Sequence, residues 1–425
     1  MAYEKLFEPI QIGKATVKNR FAYAPTNLFY NWEGTMTEQE VAYYTARAMG
    51  GIGMVIVGAY LSTEFGVPYA QHPFMNTWHI RFVQPLAKLA DNIRLAGATA
   101  VCQLLPVPSQ YGHNWTDTQP VSPSAGMPFE RPERGLATQR LHKQRIPNSW
   151  RAHKFGSNAP DEEAREITIE EIQRVIKENT YSCKIAALAG FDGIELHMCH
   201  IYLVNAFRDP RLNRRTDRYG GSEENRHRLL LEIAEAGIRA AKEENPNIFV
   251  GVRLNPEGHE GRYQKYGYPF EETKRLALRL QELGIDYYHE TSGGQFRLPD
   301  EKLEEDGHLL KYSKELKKIL KIPVITPTVH DPKLAEQAIA EGQTDLVSNA
   351  RQFIADPEFV NKLKEGREKD IIKCTRCMMC GRGGLVNGIY CIENPETGRE
   401  YYNPKYWITK GFTGAAYMHP ALQKK

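Results

Sequence analysis

One stretch of the chain, residues 168–197, reads TIEEIQRVIKENTYSCKIAALAGFDGIELH and has the pattern of one helix followed by one strand. Thr168 and Glu171 form a capping box, and apolar residues then recur at helical spacing. Gly190 stops the helix, because glycine readily adopts the left-handed conformation found at helix C-termini. The short run that ends in His197 has the length and composition of a buried strand.

The same alternation recurs along most of the chain and gives eight strands and eight helices. The predicted strands are Arg20–Pro25, Gly53–Gly58, Thr99–Leu105, Phe191–His197, Ile248–Leu254, Asp286–Thr291, Pro323–Thr326 and Thr344–Asn349. Strict alternation predicts an α/β fold with a parallel sheet, and eight repeats fit a closed (β/α)8 TIM barrel. An open doubly wound sheet is the alternative, but it would usually show a glycine-rich turn after its first strand, and none follows RFAYAP.

Two regions fall outside the repeat, so we divide the chain into two parts. Residues 1–368 are predicted to form the barrel, with a long loop insertion at about 106–165 that is expected to cover one end of it. Residues 369–425 form a small C-terminal segment that contains a cysteine cluster and an aromatic, basic tail.

Composition narrows the class of protein. The 425 residues carry 55 basic and 52 acidic side chains, a net charge of +3, which argues against nucleic acid as the main partner. No apolar run approaches the roughly 18 to 20 residues needed to cross a membrane. Glu4, Glu8 and Lys14 lie where a signal peptide would be apolar, so we expect a cytoplasmic protein.

The cysteines point to a metal centre. Cys374, Cys377, Cys380 and Cys391 follow the pattern C-x2-C-x2-C-x10-C, whereas the other three of the seven are scattered. A tight cluster in a long chain without a secretory signal indicates metal ligation rather than disulfides. Zinc is one interpretation, but three cysteines at successive three-residue spacings are more typical of iron–sulfur ligation.

Reacting groups of a (β/α)8 barrel lie where its strands end. The fourth strand ends in His197, and His200 and Tyr202 follow within one short turn. The two histidines can bind a metal or donate hydrogen bonds to a carbonyl or carboxylate. Alternatively, they have no functional role, with one packed in the core and the other exposed to solvent. Tyr202 is either structural or a proton donor, since a phenol stays protonated at neutral pH.

Other strand ends carry weaker signals for a cofactor. Gln103 can offer a donor and an acceptor to a heterocycle, and Arg253 is a permanent cation suited to an anionic ring or phosphate. Ala350 and Arg351 follow the eighth strand, where loops of such barrels commonly bind phosphate.

The stretch AGFDGIELHMCHIYLVNAFRDPRLNRRTDRYGGSEENR, residues 189–226, resembles the signature of the old yellow enzyme family of FMN-dependent oxidoreductases. The cysteine run, followed by IENP at 392–395, resembles the iron–sulfur branch that contains 2,4-dienoyl-CoA reductase, 2-enoate reductases and trimethylamine dehydrogenase. The likeness extends from LFEPIQIG to IENP and implies a (β/α)8 barrel with FMN and a [4Fe–4S] cluster.

The resemblance implies a role for each matching position. His197 and His200 would hold the substrate's carbonyl or anion, and Tyr202 would donate a proton. The implied flavin-ring residues are Pro25, Thr26, Ala59, Gln103 and Arg253, the implied FMN-phosphate residues are Thr328, Ala350 and Arg351, and the implied cluster ligands are Cys374, Cys377, Cys380 and Cys391. Many members of the family have a pair of glycines where this chain has Pro327 and Thr328, and a glycine where it has Ala350; Pro327 has no N–H to donate to phosphate.

The chain contains no G-x-G-x-x-G between a strand and a helix, the pattern of a dinucleotide-binding domain. A cluster beside FMN passes single electrons, so we expect them to come from an electron-transfer flavoprotein, a ferredoxin or an FAD/NAD(H)-binding partner subunit. A homo- or hetero-oligomer is compatible with this expectation.

Three hypotheses for function follow. The first is an ene-reductase that receives electrons through the cluster and reduces an activated C=C bond of a small unsaturated substrate. The second is an amine or other substrate dehydrogenase that sends electrons outward through the same groups. The third is a noncatalytic assembly subunit stabilised by zinc. Tyr202 with two histidines favours a carbonyl-bearing substrate and hence reduction.

Overall fold

The computed structural model describes residues 3–31, 34–70, 74–108, 119–126, 164–200, 202–258, 267–291, 305–377, 379–381 and 388–407. Most of the predicted 106–165 insertion and the tail after residue 407 therefore lie outside the described residues. Twelve strands are numbered in chain order within this part of the chain. They are β1 Ile10–Ile12, β2 Ala15–Val17, β3 Phe21–Tyr23, β4 Met54–Leu61, β5 Thr99–Leu105, β6 Val121–Ser122, β7 Arg165–Glu166, β8 Gly193–His197, β9 Phe249–Leu254, β10 Tyr287–Glu290, β11 Val324–Pro327 and β12 Leu346–Asn349.

Eight of these strands close into a parallel barrel. Their order around the barrel is β3, β4, β5, β8, β9, β10, β11 and β12, and β12 pairs with β3. Because β3 is hydrogen-bonded on both sides, the open-sheet alternative is wrong and the predicted (β/α)8 barrel is confirmed. The register places Gln103 beside Glu195 and His197 beside Arg253.

Helices connect successive barrel strands and pack on the outside of the barrel. The capping residues predicted from the sequence lie at helix ends. The helices are α1 Glu4–Phe7, α2 Glu38–Met49, α3 Val83–Leu95, α4 Ile169–Leu188, α5 Leu203–Ala206, α6 Glu223–Glu244, α7 Phe270–Glu282, α8 Leu310–Ile319, α9 Pro332–Ala340, α10 Arg351–Ala355 and α11 Phe359–Lys364. Thr168 and Glu171 make both hydrogen bonds of the predicted capping box at the start of α4. No helix in the described part of the chain is long and apolar enough to span a bilayer.

The barrel interior is filled by side chains at its N-terminal end. The buried residues of this layer are Ile12, Val17, Ala22, Met54, Ile56, Val101, Phe249, Tyr287, Ile325 and Leu346. Ile12 and Val17 come from the β1–β2 hairpin, which therefore closes this end. A Cβ at Gly193 would lie 2.1 Å from the Phe249 ring, so glycine is required there for the large side chain to fit. The opposite end is left for the polar strand termini.

The C-terminal segment packs against α2 and α10. Arg47 of α2 forms a buried ion pair with Glu400 at 2.5 Å, and Thr397 and Asn394 donate to the carbonyl oxygens of Ile354 and Ala355. Short 3-10 helices at Glu368–Asp370, Glu400–Tyr402 and Pro404–Tyr406 give the segment its remaining regular structure among the described residues. The division at residue 368 stays a prediction.

Candidate active site

The predicted site residues meet at the C-terminal mouth of the barrel. In chain order they are Pro25 and Thr26 after β3, Ala59 in β4, Gln103 in β5, His197 at the end of β8, His200 and Tyr202 in the following turn, Arg253 in β9, Thr328 after β11, and Ala350 and Arg351 after β12. A closed parallel barrel brings all of these positions to one end, because every strand runs in the same direction.

His197, His200 and Tyr202 form one compact group. The Nε2 atom of His197 lies 3.1 Å from Nδ1 of His200, and the Tyr202 ring centroid lies 5.1 Å and 6.0 Å from the two imidazoles. His200 Nε2 lies 3.1 Å from Thr291 Oγ1, which also accepts from Arg253 Nη2 at 3.3 Å. His197 is buried and His200 is partly buried, and the contact between them joins the two rings into one unit at the mouth.

The turn that carries these residues is held from both sides. His200 has a φ of 62°, a left-handed conformation that is uncommon for a residue with a side chain. Its N–H donates to Asn255 Oδ1 at 2.5 Å and its carbonyl oxygen accepts from Asn205 Nδ2 at 2.6 Å. These two asparagines stabilise the backbone conformation that aims both imidazoles at the mouth.

Burial sets the protonation states of the group. Desolvation, helped by the nearby Arg253 charge, lowers the pKa of His197 to about 3, so this imidazole is neutral at physiological pH. Burial raises the pKa of Tyr202 to about 12, so its phenol keeps the proton. The site thus offers a neutral imidazole and a protonated phenol side by side.

A network of buried polar side chains around Glu195 lies beneath the mouth, and it was not predicted from the sequence. Glu195 accepts from Gln103 Nε2 at 2.7 Å, Tyr287 OH at 3.0 Å and His289 Nδ1 at 2.7 Å, and His289 Nε2 lies 2.8 Å from Ser348 Oγ. Burial alone would raise the pKa of Glu195, but the His289, Arg253 and Tyr287 contacts outweigh it and the pKa is lowered. Glu195 precedes His197 by two residues in a strand, a spacing that places both side chains on one face and was the available signal.

The mouth has donors suited to FMN. The Arg253 side chain is buried, and its Nε atom has no hydrogen-bond partner among the described residues. An unpaired buried donor is costly, so this atom fits a bound group that accepts a hydrogen bond. Thr328 has a φ of 59° and leaves β11 in a sharp turn, and α10 begins directly after Ala350.

The four clustered cysteines surround one cavity. Cys374, Cys377, Cys380 and Cys391, all free thiols, line one cavity together with Arg351, Ile354, Thr375, Ile392 and Glu393. The N–H of Arg376 also points at Cys374 Sγ, 3.4 Å away. Burial raises the pKa of Cys374 and, to about 11, that of Cys380. Four thiols around one cavity fit a metal centre that would hold them as thiolates.

The cysteine loop is attached to the helix that starts at the mouth. Gln352 of α10 accepts from the N–H of Cys374 at 3.1 Å and donates to the Ile372 carbonyl at 2.9 Å. Arg376 pairs with Asp306 at 2.8 Å, and Asp306 in turn accepts from the N–H of His330 in the loop after β11. The loop of the thiols and the loops after β11 and β12 are thus one hydrogen-bonded unit.

A closed (β/α)8 barrel with polar strand ends at its mouth and a thiol-lined cavity beside it defines a cofactor-dependent barrel enzyme. A family model described as the NADH:flavin oxidoreductase / NADH oxidase family matches residues 5–370. The chain belongs to this family, which confirms the expectation of a flavin-dependent oxidoreductase of the old yellow enzyme type.

Three similar proteins illustrate the range of the family. The NADH oxidase of Thermoanaerobacter brockii is 32% identical over 410 residues, which cover 94% of this chain and 57% of the relative. The cinnamate reductase of Clostridium sporogenes is 28% identical, with 94% and 58% covered. A solved complex of 2-naphthoyl-CoA reductase has a TM-score of 0.76 at 27% identity, over 94% of this chain and 58% of that one. The chain therefore spans a little over half the length of these relatives.

Proposed function

We propose that the chain binds FMN and a [4Fe–4S] cluster and reduces an activated C=C bond of an enone, an enoate or an enoyl-thioester. The observation that carries the proposal is the group of His197, His200 and Tyr202 at the mouth, beside a loop whose four thiols surround one cavity. The names of two relatives, a cinnamate reductase and a 2-naphthoyl-CoA reductase, support this reaction class. When bound, FMN would supply a hydride to the β-carbon and the cluster would supply electrons singly.

The histidine pair would bind the substrate's carbonyl oxygen. His197 is neutral, so its ring can donate a hydrogen bond without carrying a full charge. Negative charge develops on that oxygen as the double bond is reduced, and fixed donors in a buried site stabilise it. Thr291 contacts His200 at Nε2, so Nδ1 of this ring would carry the proton donated to the substrate, in place of its contact with His197 Nε2.

Tyr202 would complete the reaction as the general acid. Reduction adds one hydride and one proton across the double bond, and the Tyr202 phenol beside the histidines holds a proton at every physiological pH. The proton would pass from Tyr202 Oη to the α-carbon, and solvent would then reprotonate the phenolate.

Residues at the mouth and in the cysteine loop would hold the two prosthetic groups. For FMN these are Gln103, the unpaired Nε of Arg253 and the N–H groups that follow Ala350. For the cluster they are the four thiols. Arg351 was predicted to hold the FMN phosphate, but it also lines the thiol cavity, so its charge would stabilise anionic groups on both sides.

The electron donor is proposed to be a one-electron carrier, either an electron-transfer flavoprotein, a ferredoxin or an FAD/NAD(H)-binding unit. The support is the chemistry of an iron–sulfur cluster, which changes charge by one electron at a time.

The test is the Tyr202→Phe variant in anaerobic stopped-flow experiments with cinnamate and cyclohexenone. Loss of a general acid lowers rates by about 10²- to 10⁴-fold, so substrate reduction should fall at least 100-fold while flavin reduction stays within about twofold. Tyr181→Phe, a change at an exposed tyrosine, is the matched control and should leave both rates unchanged.

Equal effects of Tyr202→Phe on the two half-reactions would remove Tyr202 from its proposed role. Bleaching of the flavin by amines, with no reaction of either unsaturated substrate, would replace the ene-reductase by the dehydrogenase hypothesis.

A further inference from the structure

Cys199 is a buried nucleophilic group that the proposed mechanism does not use. In the sequence it lies between His197 and His200. Its side chain is fully buried, and its Sγ atom lies 3.5 Å from His197 Nε2. His197, Cys199 and His200 each point one ligand atom into the same small volume, with all three atoms within 4.8 Å of one another. Two imidazoles and one thiol this close together are a candidate set of three ligands for a metal ion, with one coordination position left open.

We propose that His197, Cys199 and His200 bind one thiophilic divalent cation, represented by Zn²⁺, and that this cation blocks the substrate site. Tetrahedral zinc with Zn–N of about 2.0–2.1 Å and Zn–S of about 2.3 Å requires ligand separations of about 3.3–3.4 Å between nitrogens and about 3.5–3.6 Å between nitrogen and sulfur. The structure has 3.1 Å between His197 Nε2 and His200 Nδ1, and 3.5 Å between His197 Nε2 and Cys199 Sγ. Cys199 Sγ also lies 3.7 Å from Nδ1 of the His197 ring, so the Cys199 side chain would have to turn toward His200 to complete the ligand set around an ion on Nε2.

The surroundings orient the ligands as a metal site requires. A ligating histidine usually donates its other ring N–H to a fixed acceptor, and His200 Nε2 has Thr291 Oγ1 at 3.1 Å for this purpose. Binding would exchange the thiol proton of Cys199 for the metal, with that proton released to solvent, and both imidazoles would bind as neutral ligands. One sulfur and two imidazoles select zinc-like ions over Mg²⁺ and Ca²⁺, which prefer oxygen.

Inhibition follows from the shared ligands. A cation on His197 Nε2 and His200 Nδ1 occupies the atoms that would face the substrate's oxygen, so Zn²⁺ and substrate would compete. This consequence rests on the proposed function, whereas binding of the metal itself does not.

The experiment uses the holoprotein with its flavin and cluster intact, dialysed anaerobically against micromolar Zn²⁺ and analysed for zinc, iron and flavin. We expect the wild-type protein to bind about one zinc per chain more than Cys199→Ala, with iron content unchanged, and Mg²⁺ in place of Zn²⁺ to bind to neither. Cys102→Ala is the matched control, since Cys102 is equally buried but lies within β5, and it should bind zinc as the wild type does.

Equal zinc binding by Cys199→Ala and wild type, or no zinc beyond the cluster in the wild type, would overturn the proposal. Cys199→Ser serves as a second variant, because serine is close to cysteine in size. We expect Cys199→Ser to bind Zn²⁺ at least tenfold more weakly than the wild type does. Zinc that binds through Cys199 without slowing turnover would leave the metal site standing and contradict the substrate role of the histidines.

Discussion

Glu195 shows at the scale of single residues what the sequence could and could not reveal. His197, at a strand end and followed by a second histidine, stands out as a candidate, because strand ends of barrels carry the chemistry. Glu195 lies inside the apolar strand GIELH, where a carboxylate has no obvious partner in the sequence. Its partners Gln103, Tyr287 and His289 come from two other strands, so only the closed barrel reveals the network.

Glu195→Ala should destabilise the protein strongly. The change leaves Gln103, Tyr287 and His289 without their buried acceptor, and loss of one partner in a buried charged network is expected to lower the free energy of unfolding by about 3–5 kcal/mol. Urea unfolding of the holoprotein, compared with Glu282→Ala at the exposed end of α7, measures the effect. A loss below about 1 kcal/mol for Glu195→Ala would show that the network contributes little to stability.

At the scale of elements, the strand and helix positions follow closely from the sequence. The predicted strands Thr99–Leu105 and Ile248–Leu254 match β5 and β9 within one residue. The second strand was predicted to stop at Gly58, yet β4 continues to Leu61 through a register shift between Val57 and Tyr60. Pairing with the neighbouring β5 extends this strand, and local residue preferences contain no information about that partner.

The docking of the C-terminal segment on α2 is another element-scale feature, and Glu400→Ala tests it. The change removes the carboxylate that balances the fully buried Arg47 charge, although Arg47 still donates to backbone carbonyl oxygens. We expect the segment around residues 388–407 to exchange its amide hydrogens at least tenfold faster, with the barrel strands unchanged. Glu396→Ala, at an exposed position of the same segment, is the control and should leave exchange as in the wild type. Unchanged exchange in Glu400→Ala would mean that other contacts hold the segment.

At the scale of the whole molecule, the barrel mouth and the thiol cavity adjoin each other. The sequence predicts both, but as separate features, because most of the strand ends are far from Cys374–Cys391 along the chain. The structure joins them through α10, where Gln352 binds the thiol loop two residues after Ala350. Arg351 shows where sequence-based prediction stops. Its position after the eighth strand predicts a contact with phosphate, but it does not predict that Arg351 also lines the thiol cavity.

The central claim is that FMN and an iron–sulfur cluster occupy these two adjoining parts of the molecule. The most direct measurement is the flavin, iron, zinc and acid-labile sulfide content of anaerobically purified protein, together with its Cys377→Ser variant. We predict about one FMN, four iron and four sulfide per wild-type chain, and a loss of most iron and sulfide with retention of flavin in Cys377→Ser. A colourless wild-type protein that contains zinc but neither flavin nor sulfide would contradict the account.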